Sequence, residues 1–293
     1  MDILTGIFLE GLIFGIMALG VYISYKVLDF ADLSVDGTFP LGAAVSAAMI
    51  AHGMNPWLTL PASFLAGALA GTLTGILNVK LKIKDLLSGI LVMTLLYSVN
   101  YRIVGKPTEH LINQRTVFSD FASLLPEGMS SGYVKLIASF VIILFVKILL
   151  DLYLNTKSGF LLRSTGDNPK LVVSLAQNPG KMKIIGLAMA NGFVALSGAV
   201  NLHSTLSFNV SGGTGKVVMG LAAVIIGTSV LGKIRHLKPT TAVIIGMIIY
   251  KACITAALSA GFQSYDLNMI IAVLFVITLV INNFVLKRGD TVA

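Results

Sequence analysis

Long apolar blocks, each of about 20 residues, constrain this chain more than any other feature of its sequence. A helix rises about 1.5 Å per residue, so a block of this length crosses the roughly 30 Å of hydrocarbon in a bilayer. Backbone polar groups in hydrocarbon must be satisfied within the protein, which restricts spanning structures to helices and closed barrels. The blocks therefore predict an all-α integral membrane protein.

The positions of these blocks predict nine membrane-crossing helices in one transmembrane domain, residues 1–293. The predicted spans are 5–25, 38–53, 58–79, 86–105, 133–154, 182–204, 216–232, 240–260 and 267–286. The second is short and follows the polar run Asp32–Thr38 and then Phe39-Pro40. It is therefore also compatible with a broken or re-entrant helix, which would leave eight crossings.

Composition supports this architecture and narrows the classes of function. The chain is 56% hydrophobic and only 12% charged, whereas soluble domains carry about 25% charged residues. Its net charge of +8 comes from Lys and Arg that lie mostly between the apolar blocks, without the interleaved aromatic side chains of a nucleic-acid surface. We therefore expect contact with membrane lipid and no nucleic-acid partner.

Basic residues are distributed unequally between the two sets of alternating loops. The richer set holds Lys26, Lys80, Lys82, Lys84, Lys157, Arg163, Lys170, Lys181, Lys183, Lys233, Arg235, Lys238, Lys287 and Arg288. The poorer set holds Arg102, Lys106, Arg115, Lys135 and Lys216. Because cytoplasmic loops are enriched in Lys and Arg, the C-terminus is predicted to be cytoplasmic and the N-terminus external.

Two connections are longer than the others. Residues 106–132 form an external loop in which we expect a short amphipathic element, with a solvated loop and a docking surface as open alternatives. Residues 155–181 form a long cytoplasmic loop. Both connections are candidates for contact with partner proteins.

A faint internal repeat relates the two halves of the chain. Ala18-Leu19, Asp36–Thr38 and Leu41–Ala44 correspond to Ala195-Leu196, Gly213-Thr214 and Met219–Ala223. By the loop count the two copies begin on opposite sides of the membrane, as an inverted-topology repeat requires. Chance similarity is the alternative, since Gly and Ala are common in membrane helices.

The cytoplasmic loop contains the pattern of a short capped helix. Asn168 is a suitable N-cap, and Pro169 suits the first helical position because its missing N–H would be unpaired there. The helix can run about two turns before Asn178–Gly180 stops it. Its apolar side chains should share one face: Leu171, Val172 and Leu175. A helix this short needs a partner surface, which is either its own bundle, the lipid interface or a groove on another protein.

The same loop carries the clearest resemblance to a known family. The run Gly159–Pro169 resembles the cytoplasmic loop of the branched-chain amino acid permease family of ABC importers, whose pattern is approximately Gly-x-x-x-Arg-Ala-x-Gly-Glu-Asn-Pro. This chain has Ser164 in place of Ala and Asp167 in place of Glu. The stretch from Ala18 to Ala43 is also similar, most of all to the branch assigned to tryptophan or tyrosine uptake.

This resemblance implies a fold like that of type II importers and a division of labour among subunits. Two permease copies, in a homodimer, would form the pore in a bacterial cytoplasmic (inner) membrane. Two ATPase subunits would bind ATP and Mg²⁺ beneath it, and an external binding protein or lipoprotein would deliver an amino acid, with an aromatic one indicated by the branch. The residues that match the loop motif would belong to a coupling helix region that contacts the ATPase: Arg163, Gly166, Asp167, Asn168 and Pro169.

Ionisable residues inside apolar blocks are few. A charged side chain at mid-bilayer costs about 2.5–3.5 kcal/mol, so such residues usually face protein or water. Glu10, Lys147 and Lys251 are in this position. We expect them to form structural pairs in preference to taking part in transport.

Four uncharged polar residues form a candidate substrate path: Asn100, Asn191, Asn201 and His203. Asn191 and Asn201 lie on one predicted helix, about 80° apart in projection at about 100° per residue. They could face a shared polar route. Interhelical hydrogen bonding is the alternative explanation for buried amides in a membrane protein.

Patterns typical of nucleotide, metal and catalytic sites are absent from the sequence. The run Ser211–Lys216 is glycine-rich, but Walker A requires a Gly at Val210 and a Ser or Thr at Val217. Cys253 is the single cysteine, and no paired Cys/His spacing accompanies it. We therefore predict no catalytic residue, no metal and no cofactor on this chain, and a transporter instead of an enzyme.

A secondary transporter driven by an ion gradient is the strongest alternative. It too would use a helical bundle and an inverted repeat. It would not require the capped cytoplasmic helix, and it would be expected to use intramembrane carboxylates, of which this chain offers mainly Glu10.

Overall fold

The computed structural model describes residues 3–112, 114–123, 130–231, 237–263 and 266–290. Nearly all of these residues are helical. The helices are α1 (Ile3–Val21), α2 (Val35–Ala51), α3 (Pro56–Val79), α4 (Asp85–Val104), α5 (Val117–Ala122), α6 (Ser131–Leu154), α7 (Lys157–Asp167), α8 (Pro169–Ser174), α9 (Pro179–Thr205), α10 (Lys216–Ile225), α11 (Pro239–Ser259) and α12 (Leu267–Asp290). Residues 124–129 of the predicted external loop and 232–236 of a predicted basic loop lie outside the described residues.

Helices occur at all nine predicted blocks, but they differ in length. Within the described ranges, six helical segments are long and apolar enough to cross a bilayer. Three apolar stretches are shorter: Val35–Ala51, Lys216–Ser229 and Met269–Val280. The all-helical membrane fold is therefore confirmed, whereas the count of nine crossings stays a prediction.

The second predicted block begins earlier than expected. Helix α2 starts at Val35, three residues before the predicted span, so Pro40 lies in its second turn. Proline has no N–H to donate to the carbonyl oxygen of Asp36, one turn earlier. That oxygen is instead approached by the backbone of Gly213, where an added Cβ would lie only 1.8 Å away.

Helices α1 and α9 form the centre of the bundle. Most of both helices is buried, and the Ser197 hydroxyl donates to the backbone carbonyl of Ile13 at 2.7 Å. Gly20 of α1 brings its backbone against the carbonyl oxygen of Ala190. Helix α1 continues as a π-helical segment, Tyr22–Val27, and α10 as a second one, Ile226–Leu231.

Glycines at every fourth position of α3 allow it to pack closely against α9. An added Cβ at Gly67 would lie 2.4 Å from the carbonyl oxygen of Asn191, and one at Gly71 would lie 2.1 Å from that of Leu187. Gly75 meets the Cα of Ile184 in the same way, at 2.9 Å. Spacing of this kind lets two membrane helices approach with their backbones nearly in contact.

The three ionisable residues within apolar blocks are paired. The Lys251 ammonium lies 2.7 Å from a carboxylate oxygen of Glu10, and that of Lys147 lies 3.0 Å from one of Asp151. The Lys251 side chain is 11% exposed and that of Glu10 is 58% exposed. The Lys251 ammonium also lies 4.3 Å from the ring centroid of Phe14, where a cation–π contact is favourable. The expected structural pairing is therefore present at all three positions.

The described part of residues 106–132 packs onto the bundle instead of extending away from it. Strand β1 (Thr108–His110) pairs antiparallel with β2 (Ser207–Asn209), just before α10. The amphipathic element expected here is α5, whose Thr116 cap accepts from the Ser119 N–H at 3.0 Å. Its Val117 and Phe118 side chains are buried.

Candidate functional site

The short helix predicted in the cytoplasmic loop is α8, and it begins at Pro169 as expected. The Asn168 side chain accepts from the Lys170 N–H at 3.1 Å, which satisfies one of the free donors of the first turn. The helix is six residues long. It ends where Ala176 adopts a left-handed conformation, with φ of 54°.

The residues predicted to stop α8 begin the next helix instead. Asn178 accepts from the N–H groups of Gly180 and Lys181, at 2.9 and 3.3 Å, and Pro179 occupies the first position of α9. The prediction that Asn178–Gly180 ends α8 is therefore wrong, because α8 has already ended and these residues start α9. An Asn-Pro pair caps a helix start at both ends of this segment.

The apolar side chains of α8 do not share one face, which corrects the sequence-based expectation. Val172 is fully buried, whereas Leu171 is 43% and Leu175 48% exposed. A helix this short requires tertiary packing, and the buried Val172 side chain provides it. Leu171 and Leu175, one turn apart, are left facing outward, and Val173 is exposed as well.

A second helix in this loop, α7, was not predicted. Thr156 caps it by accepting from the Gly159 N–H at 3.2 Å, and Leu162 buries its side chain completely. The sequence did offer Thr156 as an N-cap, followed by leucines. Two glycines in the same run, which disfavour a helix, argued against it. The predicted coupling region therefore consists of two helices joined at Asn168.

The motif residues Arg163 and Gly166 attach α7 to the bundle. The Arg163 guanidinium donates to the carbonyl oxygen of Leu154 at 2.8 Å, at the end of α6. At Gly166 an added Cβ would lie 2.1 Å from the carbonyl oxygen of Val27, the last residue of the π-helical segment after α1. Asp167, Asn168 and Pro169 are exposed. Contact of these residues with an ATPase stays a prediction.

The buried carboxylate of Asp32, five residues after Val27, joins the loop before α2 to α9. Asp32 accepts from the Asn191 side-chain amide at 2.7 Å and from the Ser34 N–H at 2.9 Å. The Ser34 hydroxyl donates to the same carboxylate at 2.5 Å. Asp32 is 5% exposed, and Ser34 and Asn191 are fully buried. These hydrogen bonds replace the water that the carboxylate would otherwise bind.

Replacement of Asp32 tests this network. We expect Asp32→Ala to lower the free energy of unfolding by about 1–3 kcal/mol, because it removes a buried acceptor from both Asn191 and Ser34. Asp32→Asn keeps an acceptor for Ser34 and should cost less. Thermal unfolding of the protein in detergent measures both. Asp29→Asn is the control, because Asp29 is exposed and Asn tolerates its φ of 51°; equal melting of Asp32→Ala and this control would contradict the structural role.

A second carboxylate, Asp36, joins the starts of α2 and α10. It accepts from the N–H groups of Gly215 at 3.0 Å and Val217 at 2.7 Å. A carboxylate in this position satisfies free donors of the first turn and opposes the positive end of the helix dipole. The starts of the two short helices therefore meet inside the bundle. These are also the segments of the predicted internal repeat, whose inverted relation stays a prediction.

The four predicted path residues lie in separate surroundings. Asn191 belongs to the Asp32 network. The His203 Nε2 lies 2.7 Å from the Thr59 hydroxyl, between α9 and α3. Asn201 is partly buried near the end of α9. Asn100 is fully buried and donates to the carbonyl oxygen of Gly37 at 3.0 Å.

A cavity of about 410 Å³ lies between α2, α4 and the loop before α10. Of the four predicted residues, Asn100 is the one that lines it. The other lining residues come from the first turns of α2, from α4 and from the loop after β2: Asp36, Gly37, Pro40, Met93, Thr94, Tyr97, Ser98, Val210, Ser211 and Thr214. Sequence analysis did not select Asp36, Tyr97 or the hydroxyl groups, since their proximity depends on the tertiary structure.

A known family of transport proteins matches this chain along most of its length. The family model described as "Branched-chain amino acid transport system / permease component" matches residues 3–280. The chain belongs to this family. The resemblance noted in the sequence is thus confirmed, and the branched-chain amino acid permease family is a family of transport proteins, not of enzymes.

Curated relatives match this permease along almost its whole length. It is 39% identical over 282 residues to a tyrosine transport system permease protein of Clostridioides difficile (strain R20291), with 96% of this chain and 92% of the relative covered. It is 30% identical over 283 residues to an uncharacterized protein of Rickettsia prowazekii (strain Madrid E), with 95% and 97% covered.

A solved structure shares the fold of this permease. It is a chain of "PsaBC from Streptococcus pneumoniae in complex with Fab", with a TM-score of 0.55 and 11% sequence identity. The match covers 95% of this chain and 91% of that one. At this identity the likeness concerns the arrangement of helices and not the solute.

Proposed function

We propose that this permease is the membrane subunit of an ATP-driven importer for tyrosine or a closely related aromatic amino acid. The observation that carries the proposal is the 39% identity to a tyrosine transport system permease over nearly the whole of both chains. On this proposal the chain is embedded in the bacterial cytoplasmic membrane, with its C-terminus inside. A second copy of the chain completes the pore.

The α7–α8 segment supports a motor on a separate polypeptide. Leu171 and Val173 of α8, and Leu175 just after it, expose apolar side chains, whereas Val172 is buried. Exposed apolar side chains beside a polar loop fit a groove on a partner protein. The proposed partner is an ATPase in two copies, which binds ATP and Mg²⁺, with none bound by this chain.

The contacts of α7 supply a route for mechanical coupling. Force on α8 passes to α7 at Asn168, and α7 bears on the carbonyl oxygen of Val27 through Gly166. The short loop after Val27 leads to Asp32, which holds Asn191 of α9. Movement of the motor would therefore shift the segments around the junction of α2 and α10, since packed elements of this kind move as units.

Uptake by the assembled transporter tests the proposal. The chain should co-purify with an ATPase, and proteoliposomes containing both should accumulate tyrosine when supplied with ATP and the loaded binding protein. Accumulation should stop when the ATPase is inactivated. A binding protein encoded with this chain should melt at a higher temperature with tyrosine, because a ligand that binds the folded state stabilises it. Uptake that continues without the ATPase would overturn the proposal.

The same assay separates this function from secondary transport. Asp32 and Asp36 add two buried or partly buried carboxylates to Glu10, but each accepts hydrogen bonds from the protein. Neither arrangement requires a coupling ion. Uptake by an ATP-driven importer should survive collapse of the ion gradients by ionophores, whereas uptake by a secondary transporter should cease.

A further inference from the structure

We propose that the cavity beside Asn100 is a solute subsite of the transport route, where Asn100 and Asp36 recognise a primary ammonium group. This inference rests on the proposed function and goes further, because it assigns the ammonium group and the side chain of the solute to particular residues. The solute class is an amino acid whose side chain is aromatic or large and apolar.

The amide of Asn100 provides an unused acceptor. Its partner is the carbonyl oxygen of Gly37, so the amide nitrogen faces that oxygen and the amide oxygen, Oδ1, is directed elsewhere. Within the described part of the chain, Oδ1 is buried and has no hydrogen-bond partner. Buried polar atoms of native proteins are nearly always satisfied, so an orphan acceptor beside a cavity indicates a ligand donor or water.

Asp36 adds negative charge to the same cavity. Its carboxylate accepts from Gly215 and Val217, and a carboxylate offers about four lone-pair positions. Acceptor capacity therefore remains for a donor in the cavity. Gly37, next in sequence to Asp36, is the partner of Asn100, and all three residues line the cavity. Two acceptors, one of them charged, suit an ammonium group better than a carboxylate.

The rest of the lining suits an apolar side chain with one polar tip. Met93, Tyr97 and Pro40 supply a thioether, an aromatic ring and a proline ring. Thioether and aromatic groups pack favourably against an aromatic solute. Hydroxyl groups of Ser98 and Thr94 lie along α4 in the same lining. The cavity volume of about 410 Å³ lies within the usual range of about 300–1,000 Å³ for small-molecule sites.

Two substitutions at Asn100 separate solute recognition from a structural role. Asn100→Leu removes both amide functions and is expected to lower tyrosine uptake about 10-fold or more in proteoliposomes, while ATP hydrolysis persists. Asn100→Asp keeps an oxygen acceptor and loses the donor to Gly37, and it should retain at least about 3-fold more uptake than Asn100→Leu. If Asn100 only held Gly37, Asp would be the worse replacement, because its carboxylate would oppose the Gly37 carbonyl oxygen.

Chemical modification provides a second measurement that does not depend on Asn100. With Cys253→Ser as background, Thr94→Cys should react with a cationic methanethiosulfonate reagent and lose uptake, and tyrosine should slow the reaction. Leu95→Cys is the matched control, because Leu95 is exposed on the same helix but does not line the cavity. Equal effects at both positions, or no effect of tyrosine on Thr94→Cys, would overturn the subsite.

The two proposals fail in different ways. If the wild-type transporter does not accumulate tyrosine, the proposed function is wrong. If wild type accumulates tyrosine but Asn100→Leu does so normally, the function stands and the subsite is wrong.

Discussion

Leu171→Asp is expected to lower tyrosine uptake by about 10-fold or more. The permease should remain inserted in the membrane, and the ATPase should continue to hydrolyse ATP. Leu171 is 43% exposed, so a carboxylate there is solvated in the free permease and should not prevent folding. In a groove on the ATPase the same carboxylate would lose water without gaining a partner, and that desolvation is costly. Uptake and ATP hydrolysis measured in the same proteoliposomes test the prediction, and Leu175→Asp should behave similarly.

Matched substitutions on α8 make this result specific. Leu171→Met keeps an apolar side chain of similar volume and should transport normally. Val172→Asp places the charge at a fully buried position and should reduce the amount of folded permease instead of uncoupling it. Normal uptake by Leu171→Asp and Leu175→Asp would count against α8 as the ATPase contact.

The start of α8 was predictable because its determinants are adjacent in sequence. Asn168 and Pro169 specify a helix start through the capping side chain and the fixed φ of proline. The end of α8 was not predictable in the same way. Ala176 terminates the helix in a left-handed conformation that glycine or asparagine usually adopts, so the sequence carried no ordinary signal for it.

Which apolar residues of α8 are buried and which are exposed also depends on the tertiary structure. Leu171, Val172 and Leu175 fall within one arc of a helical projection, which is why a single apolar face was expected. Which of them is covered depends on how α8 packs against the rest of the protein. The burial of Val172 could therefore not be deduced from the sequence.

The junction of the two short helices was visible in the sequence only as a faint repeat. Asp36 and Gly213 were noted as corresponding segments, but contact between them is set by how α2 and α10 enter the bundle. The network of Asp32 with Asn191 joins residues 159 positions apart. No local pattern specifies such a pair. Asn191 was therefore assigned to a polar path only because it is a polar residue inside an apolar block.

The glycines of α3 were a signal that sequence analysis did not use. Gly67, Gly71 and Gly75 recur at every fourth position, the spacing that allows close approach of two membrane helices. The partner helix was not deducible, but a tight interface was. In the structure that interface is with α9.

Gly71→Leu is expected to prevent stable folding of the permease. Even the Cβ of the new side chain would lie 2.1 Å from the carbonyl oxygen of Leu187 and 2.7 Å from its carbonyl carbon, both backbone atoms of α9. Helix α9 cannot easily retreat, because it is also held against α1 by the Ser197 hydroxyl bond and by close contact with Gly20. Overpacking costs about 1–3 kcal/mol where side chains can adjust, and a rigid backbone contact should cost about 3 kcal/mol or more.

The amount of folded Gly71→Leu permease measures this effect, either as monodisperse protein in detergent or as the midpoint of thermal unfolding. Gly6→Leu is the matched control, because nothing lies within 4 Å of an added Cβ at Gly6 and its backbone is helical. The control should fold like wild type. A Gly71→Leu protein as stable as Gly6→Leu would mean that α3 can move away from α9, and the bundle would then lack the rigid centre through which α7 is proposed to act.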